Sequence, residues 1–141
     1  MSAPGFADAP GGVDNPLLEY LGIRLVEVGT GRASFEVDVD NRHLNRQGSL
    51  HGGVAATLLD AACGYSGLAT GQGDALGNAV TVTLSISYIA KVSSGRLRAT
   101  GNLTKMGRSI YFSAGELVSE SGDLIATAQG AFKRTTKATD I

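Results

Sequence analysis

The sequence predicts an α+β fold in which one antiparallel sheet wraps around a single central helix. Three observations lead there. Residues 52–70, GGVAATLLDAACGYSGLAT, contain no proline and are apolar on almost every side, the mark of a helix buried on most sides rather than lying on a surface. In residues 80–88, Val80, Val82, Leu84, Ile86 and Tyr88 alternate with Thr81, Thr83, Ser85 and Ser87, the period of a strand. The other strand-like segments are joined by short Gly- and Ser-containing turns, which suit antiparallel neighbours and are too short for parallel crossovers.

Taken in order, residues 1–13 are rich in Gly, Ala and Pro and read as a flexible lead-in, leaving one domain over 14–141. Asp14 or Asn15 ahead of Pro16 is a helix start, and the short helix PLLEYLG ends at Gly22. IRLVEVG and RASFEVDV alternate apolar and polar residues across Gly29, Thr30 and Gly31, a β-hairpin. The central helix and the loop GQGDALGN follow. After the strand at 80–88 come RLRATGNLTKM, SIYFSAGELVSE and DLIATAQGAFKR, separated by SSG, GR and SGD, a three-stranded meander.

Composition narrows the function. At 141 residues with 43% apolar and 18% charged content, the chain can build a core unaided. The formal charge of −1 argues against nucleic acid or an anionic membrane as partner. No apolar run reaches the length of a membrane span, and the N-terminus lacks a basic and then greasy leader. A single cysteine excludes an intrachain disulfide, and the expected location is the cytoplasm. With only His43 and His51, and neither in a metal-binding spacing, no metal and no other cofactor is expected.

Asp60 is the most informative residue. It sits among Leu58, Leu59, Ala61 and Ala62, and its helical neighbours Ala56, Thr57, Cys63 and Gly64 offer no cation. Burying an unpaired carboxylate costs several kcal/mol, so a helix interior keeps one for a reason. The bland alternative is a side chain that escapes to solvent or caps a nearby loop. Just before the helix runs Asn45-Arg-Gln-Gly-Ser-Leu-His51-Gly52-Gly53. Two glycines at a helix N-terminus let a substrate reach the backbone, and free N–H groups there can hold an oxyanion, with His51 and Asn45 adding donors. The alternative here is a tight turn and a helix cap, with His51 packed on the sheet. Asp60 lies eight residues beyond Gly52, about 12 Å along one helix. A carboxylate and an oxyanion donor must both reach the same carbon, so if both act, two antiparallel helices across a two-fold axis supply them better than one. Cys63 has no histidine near it and reads as an inert buried thiol.

Charge is divided along the chain. Up to residue 90 there are 4 Lys+Arg against 9 Asp+Glu, net −5; from Lys91 onward there are 8 against 4, net +4. A solvated strand face explains such charges in most chains. The sharper reading is a site for a phosphorylated ligand, with Arg108, in the turn after Gly107, best placed to grip a phosphate.

The segment His51-Gly-Gly-Val-Ala-Ala-Thr-Leu-Leu-Asp60, with Asn45 six positions ahead of His51, resembles the hotdog-fold acyl-CoA thioesterases of the phenylacetate-pathway (PaaI-like) type. The resemblance extends through Val82–Tyr88 and the final strands and spans about residues 15–136. It implies a hotdog fold and hydrolysis of an acyl-CoA to free acid and CoA. Asp60 matches the carboxylate that acts as nucleophile or general base, and Gly52 the oxyanion N–H. His51 and Asn45 match the groups that place or polarise the carbonyl, and Thr81 a hydroxyl that helps orient water. With CoA as ligand, Lys91, Lys105, Arg108 and Arg134 become candidates for its phosphates. The resemblance further implies a site shared between subunits, hence at least a homodimer, with pairing into homotetramers; Thr83, Ser85 and Ser87 would lie in that second contact or simply face solvent. A non-catalytic acyl-CoA-binding protein on the same fold is the alternative, but it would have no use for Asp60. A dehydratase would want a His–Asp or His–Glu pair, and His51 with Asp60 is the only candidate.

Overall fold

The computed structural model describes residues 15–69 and 76–135. The lead-in expected over 1–13, the helix-start candidate Asp14, Thr70 at the end of the expected central helix and residues 71–75 of the expected loop fall outside them. The elements are α1 (Pro16–Leu21), β1 (Arg24–Gly29), β2 (Arg32–Val39), a 3-10 turn (Asn41–His43), α2 (Gly52–Tyr65), β3 (Asn78–Tyr88), β4 (Gly95–Met106), β5 (Ile110–Ser119) and β6 (Leu124–Thr135). The six strands form one antiparallel sheet in the order β1-β2-β4-β5-β6-β3. Thus β4, β5 and β6 are the expected meander and β1–β2 the expected hairpin. The strand that precedes the meander in sequence closes its far side: β3 pairs with β6, and among the described residues nothing pairs with its other edge.

Local chemistry sets the helix ends. The Asn15 side chain accepts from the Leu17 N–H at 3.2 Å, so Asn15 is the cap of α1, and Gly22 ends it in the left-handed conformation at φ 70°. The central helix α2 is shorter than the expected 52–70 and stops at Tyr65. Three hydroxyls account for the stop: Tyr111 donates to the Gly64 carbonyl, Ser66 donates to the Cys63 carbonyl at 2.6 Å, and Ser113 hydrogen-bonds Ser66 at 2.8 Å. The last carbonyls of the helix are thus met by Ser66, by the Gly67 N–H and by Tyr111 of β5.

The sheet curls round α2, and Phe35, Val37, Leu58, Leu59, Ala62, Leu97, Ala99, Leu117 and Phe132 fill the space between. Glycine on the sheet floor sets how close the helix lies. A Cβ on Gly101 would fall 2.2 Å from the Ala62 carbonyl oxygen, and one on Gly115 would fall 2.8 Å from the Cys63 sulfur. The burial is not all-round. Val54, Ala55, Leu58, Leu59, Ala61, Ala62 and Cys63 are buried, but Gly53 is exposed and Ala56, Thr57, Asp60 and Gly64 are only half-covered. These form an open stripe at helical spacing.

One irregularity in β3 positions the site. Thr81 stands opposite Phe132 and Thr83 opposite Ala131, so Val82 is a bulge, two residues of β3 spanning one step of β6. Phe132 is buried against α2 beside Gly64, so Thr81 opposite it also faces the helix. Beyond the bulge Leu84 and Ile86 take that face and pack on the core, while Thr83, Ser85 and Ser87 point to the outer face with Thr127 and Gln129. The single hydroxyl face expected from the period-two pattern is therefore broken at Val82, and Thr81 leaves it.

Candidate active site

Asp60 is half-buried on the open stripe of α2, and its Oδ1 accepts a hydrogen bond from the Thr81 hydroxyl at 2.7 Å. That bond lies within one chain and depends on the Val82 bulge, since an unbroken alternation would turn Thr81 to the outer face with Thr83. Among the described residues no cation is paired with Asp60. With Oδ1 occupied, Oδ2 is the oxygen left to act on a substrate or a water.

The segment before α2 is held by backbone and side-chain bonds. Asn45 Oδ1 accepts from the N–H groups of Gln47 at 2.9 Å and Ser49 at 3.1 Å, so its oxygen shapes the loop and its amide NH2 is the end turned to other work. His43 is fully buried: Nδ1 accepts from the Asp40 N–H at 2.9 Å and Nε2 meets the Leu21 carbonyl at 2.7 Å. Its own carbonyl accepts the His51 N–H at 2.8 Å. His51 is exposed and caps α2, with Nδ1 accepting from the Gly53 N–H at 2.8 Å. That assigns the ring proton of the neutral imidazole to Nε2, a donor facing away from the cap.

These caps sort the donors at the start of α2. The Gly53 N–H is taken by His51 Nδ1, and the Val54 and Ala55 N–H groups bond the His51 carbonyl. Among the described residues no acceptor meets the Gly52 N–H, so it is the spare donor at the positive end of the helix. Tyr88, the last residue of β3, donates its hydroxyl to the Gly52 carbonyl at 2.8 Å and lays its ring against the same glycine. In the sequence Tyr88 belongs only to a strand pattern; a contact between a strand end and a helix start 36 positions away leaves no local signal.

Cys63, one turn from Asp60, is buried, and burial together with the nearby Asp60 charge pushes its thiol up to about 12. It stays protonated at neutral pH and is no thiolate nucleophile.

The basic residues are divided rather than gathered. Lys91 follows β3 at the Gly52 end, where the Leu50 N–H bonds the Val92 carbonyl at 2.7 Å. Lys105 and Arg108 are exposed at the opposite end, around the β4–β5 turn. Arg134 lies at that end too but is engaged in its own chain. It donates to the Gly67 carbonyl at 3.3 Å and to the Met106 sulfur at 2.8 Å, and its guanidinium lies 5.5 Å from the Tyr111 ring centre.

A curled antiparallel sheet holding one long helix is the hotdog arrangement, and here that helix carries a half-buried carboxylate along its length and an N–H without an acceptor, among the described residues, at its start. The profile of the thioesterase superfamily matches residues 47–126, and the chain belongs to that superfamily; it is a thioester hydrolase. Acyl-coenzyme A thioesterase 13 of Homo sapiens is 32% identical over 106 residues, covering 74% of this chain and 74% of that protein. A solved mutant of the phenylacetic acid degradation protein PaaI from Thermus thermophilus is 26% identical with a TM-score of 0.77, over 86% of this chain and all of its own. The PaaI protein of E. coli, at 24% identity and a TM-score of 0.73 over 86% of each chain, shares the fold. Among the described residues no helix is long and apolar enough to cross a membrane.

Proposed function

We infer that the chain hydrolyses an acyl-CoA thioester to free acid and CoA at a site shared by two subunits. The hydrogen bond from Thr81 to Asp60 carries this reading, because it turns a half-buried carboxylate into a fixed group with one oxygen free. The name of the human relative supports CoA as the thiol. In the reaction, Asp60 Oδ2 takes a proton from a water as the water oxygen bonds to the thioester carbon, or itself attacks that carbon to give an acyl-aspartyl anhydride that water then hydrolyses to the free acid and the Asp60 carboxylate. The Thr81 hydroxyl donates to Oδ1 and keeps lone pairs that can accept from the water. The carbonyl oxygen, as it gains charge, is met by the Gly52 N–H, with the His51 Nε2–H and the Asn45 amide as further donors. Collapse of the tetrahedral adduct expels the CoA thiolate, a good leaving group that needs little help. No cofactor enters the scheme.

Two features support the subunit pairing. The outer edge of β3 is unpaired, and Val82, Tyr88 and Ile89 along it are 53%, 59% and 53% exposed, more apolar surface than a finished edge strand displays. Beside it runs the open stripe of small residues on α2. Two β3 edges paired antiparallel about a point near Leu84–Ser85 would set Thr81 of one chain by Tyr88 of the other. Asp60 would then approach Gly52 across the two-fold axis. The same operation would bring Lys91 of one chain toward Lys105 and Arg108 of the other, gathering the divided cations around CoA. The polar outer face with Thr83, Ser85 and Ser87 is then the surface for stacking dimers into homotetramers.

Thiol release from a panel of aryl-, short- and long-chain acyl-CoAs tests the reading, with Asp60→Asn as control. The wild type should release CoA, and the variant should fold and lose at least about a hundredfold in rate, the lower range for a lost general base. Binding of acyl-CoA by the wild type without thiol release would overturn catalysis and leave a binding protein.

A further inference from the structure

We propose that Tyr88 is a positioning residue that aims the oxyanion donor. This rests on the thioesterase chemistry above and adds a residue to it. The spare donor, the Gly52 N–H, belongs to the first of two consecutive glycines at the helix start. Glycine pairs have wide backbone freedom, which lets substrate approach; the His51 carbonyl, in the same peptide as the Gly52 N–H, is held by the Val54 and Ala55 N–H groups, so the side left to be fixed is the Gly52 carbonyl. An oxyanion donor is effective only when its direction is set before the charge develops.

The structure braces Gly52 from both sides. On its N-terminal side the preceding residue is tied by the His51 N–H to the His43 carbonyl at 2.8 Å. On its C-terminal side the Gly52 carbonyl accepts from Tyr88 at 2.8 Å, the bond that links this glycine to the sheet. The Tyr88 ring lies 3.4–3.5 Å from where a Cβ on Gly52 would stand, so it closes directly over the glycine.

The way Tyr88 sits is itself informative. A surface tyrosine ordinarily buries its ring and gives its hydroxyl to water. Here the residue is 59% exposed in the single chain and the hydroxyl is tied to backbone. Such a residue adds little to the core; what it holds is the turn that carries the donor. The open side of the ring then forms a wall beside the Gly52 N–H, on the edge that faces a second subunit.

Tyr88→Phe keeps the ring and removes only the hydrogen bond, so it should leave the fold and the β3 edge intact. The expected result is a fall in kcat of about tenfold, part of the hundredfold or more that losing an oxyanion donor costs. KM should stay within about twofold of wild type across acyl-CoAs, because the interaction strengthens only as charge develops. A purely structural role would lower the melting temperature without that split between kcat and KM. Amide hydrogen exchange gives a readout independent of activity: the Gly53 N–H, in the same peptide as the carbonyl that Tyr88 holds, should exchange faster in Tyr88→Phe, with the rest of α2 unchanged. An active wild type whose Tyr88→Phe variant keeps its kcat would overturn the role of Tyr88 and leave the thioesterase reading standing. If the wild type releases no thiol from any acyl-CoA, the thioesterase reading fails instead. In that case unaltered exchange at Gly53 would still refute the brace, and faster exchange would support it.

Discussion

The shared site can be tested by mixing two damaged chains. Within one chain Gly52 and Asp60 are eight residues apart on a single helix, about 12 Å at 1.5 Å per residue. Both must come within about 3 Å of one thioester group. A two-fold axis running the two α2 helices antiparallel removes the discrepancy, since each site then takes Asp60 with Thr81 from one chain and His51 with Gly52 from the other. Asp60→Ala and His51→Ala should each be nearly inactive alone. The histidine variant also loses the α2 cap, about 1 kcal/mol, which leaves it folded. The two are unfolded together, refolded and assayed by thiol release, with wild type carried through the same cycle as the reference. For a mixing fraction x, random pairing makes 2x(1−x) of the dimers hybrid, and half of the sites in each hybrid keep both groups. Activity should follow x(1−x), a parabola that peaks at about one quarter of wild type at equal mixing. If each site were built inside one chain, every site in the mixture would lack one group. A flat line at the level of the components would therefore refute the two-subunit site.

Three further outcomes are expected. Thr81→Val, which keeps the shape and removes the donor to Asp60, should lower kcat about tenfold while Thr81→Ser restores it; full activity in the valine variant would remove Thr81 from the mechanism. Arg108→Ala should raise KM for acyl-CoA more than it lowers kcat, and should spare the matching pantetheine thioesters; equal damage to both substrates would rule out a phosphate contact. Stability should fall at alkaline pH: burial and the Asp60 charge raise Cys63 from 9.0 to about 12, and burial raises Tyr111 from 10.0 to about 12 against the pull of Arg134. The folded state thus retains protons that the unfolded chain gives up, so stability is complete below about pH 9 and is lost as pH rises toward 12. Urea unfolding should show that decline, with a shallower slope for Cys63→Ala; an identical slope would mean that Cys63 does not contribute.

Much of the architecture is legible in the sequence because each element carries its own period. The helix read over 52–70 is present over Gly52–Tyr65, the hairpin and meander read as strands, and Asp14 or Asn15 before Pro16 and Gly22 after it mark the ends of α1, all from interactions spanning a few residues. The carboxylate in an apolar helix and the paired glycines behind His51 are local as well, which is why Asp60 and Gly52 stand out before any geometry. What only the tertiary structure decided depends on partners distant in sequence. The place of β3 beyond β6 is a choice among strands that all pair with similar backbone bonds. The end of α2 at Tyr65 coincides with Ser66-Gly67, a local stop signal inside the helix expected through residue 70, and with hydroxyls on β5 that lie far away in sequence. The Val82 bulge has no signature in an unbroken apolar–polar alternation, yet it turns Thr81 from the outer face to Asp60. The contact of Tyr88 with Gly52, and the separation of Lys91 from Lys105, Arg108 and Arg134, follow from strand lengths and register. Periodicity assigns a residue to a face of its own element; only long-range hydrogen bonding decides which residues of other elements that face will meet.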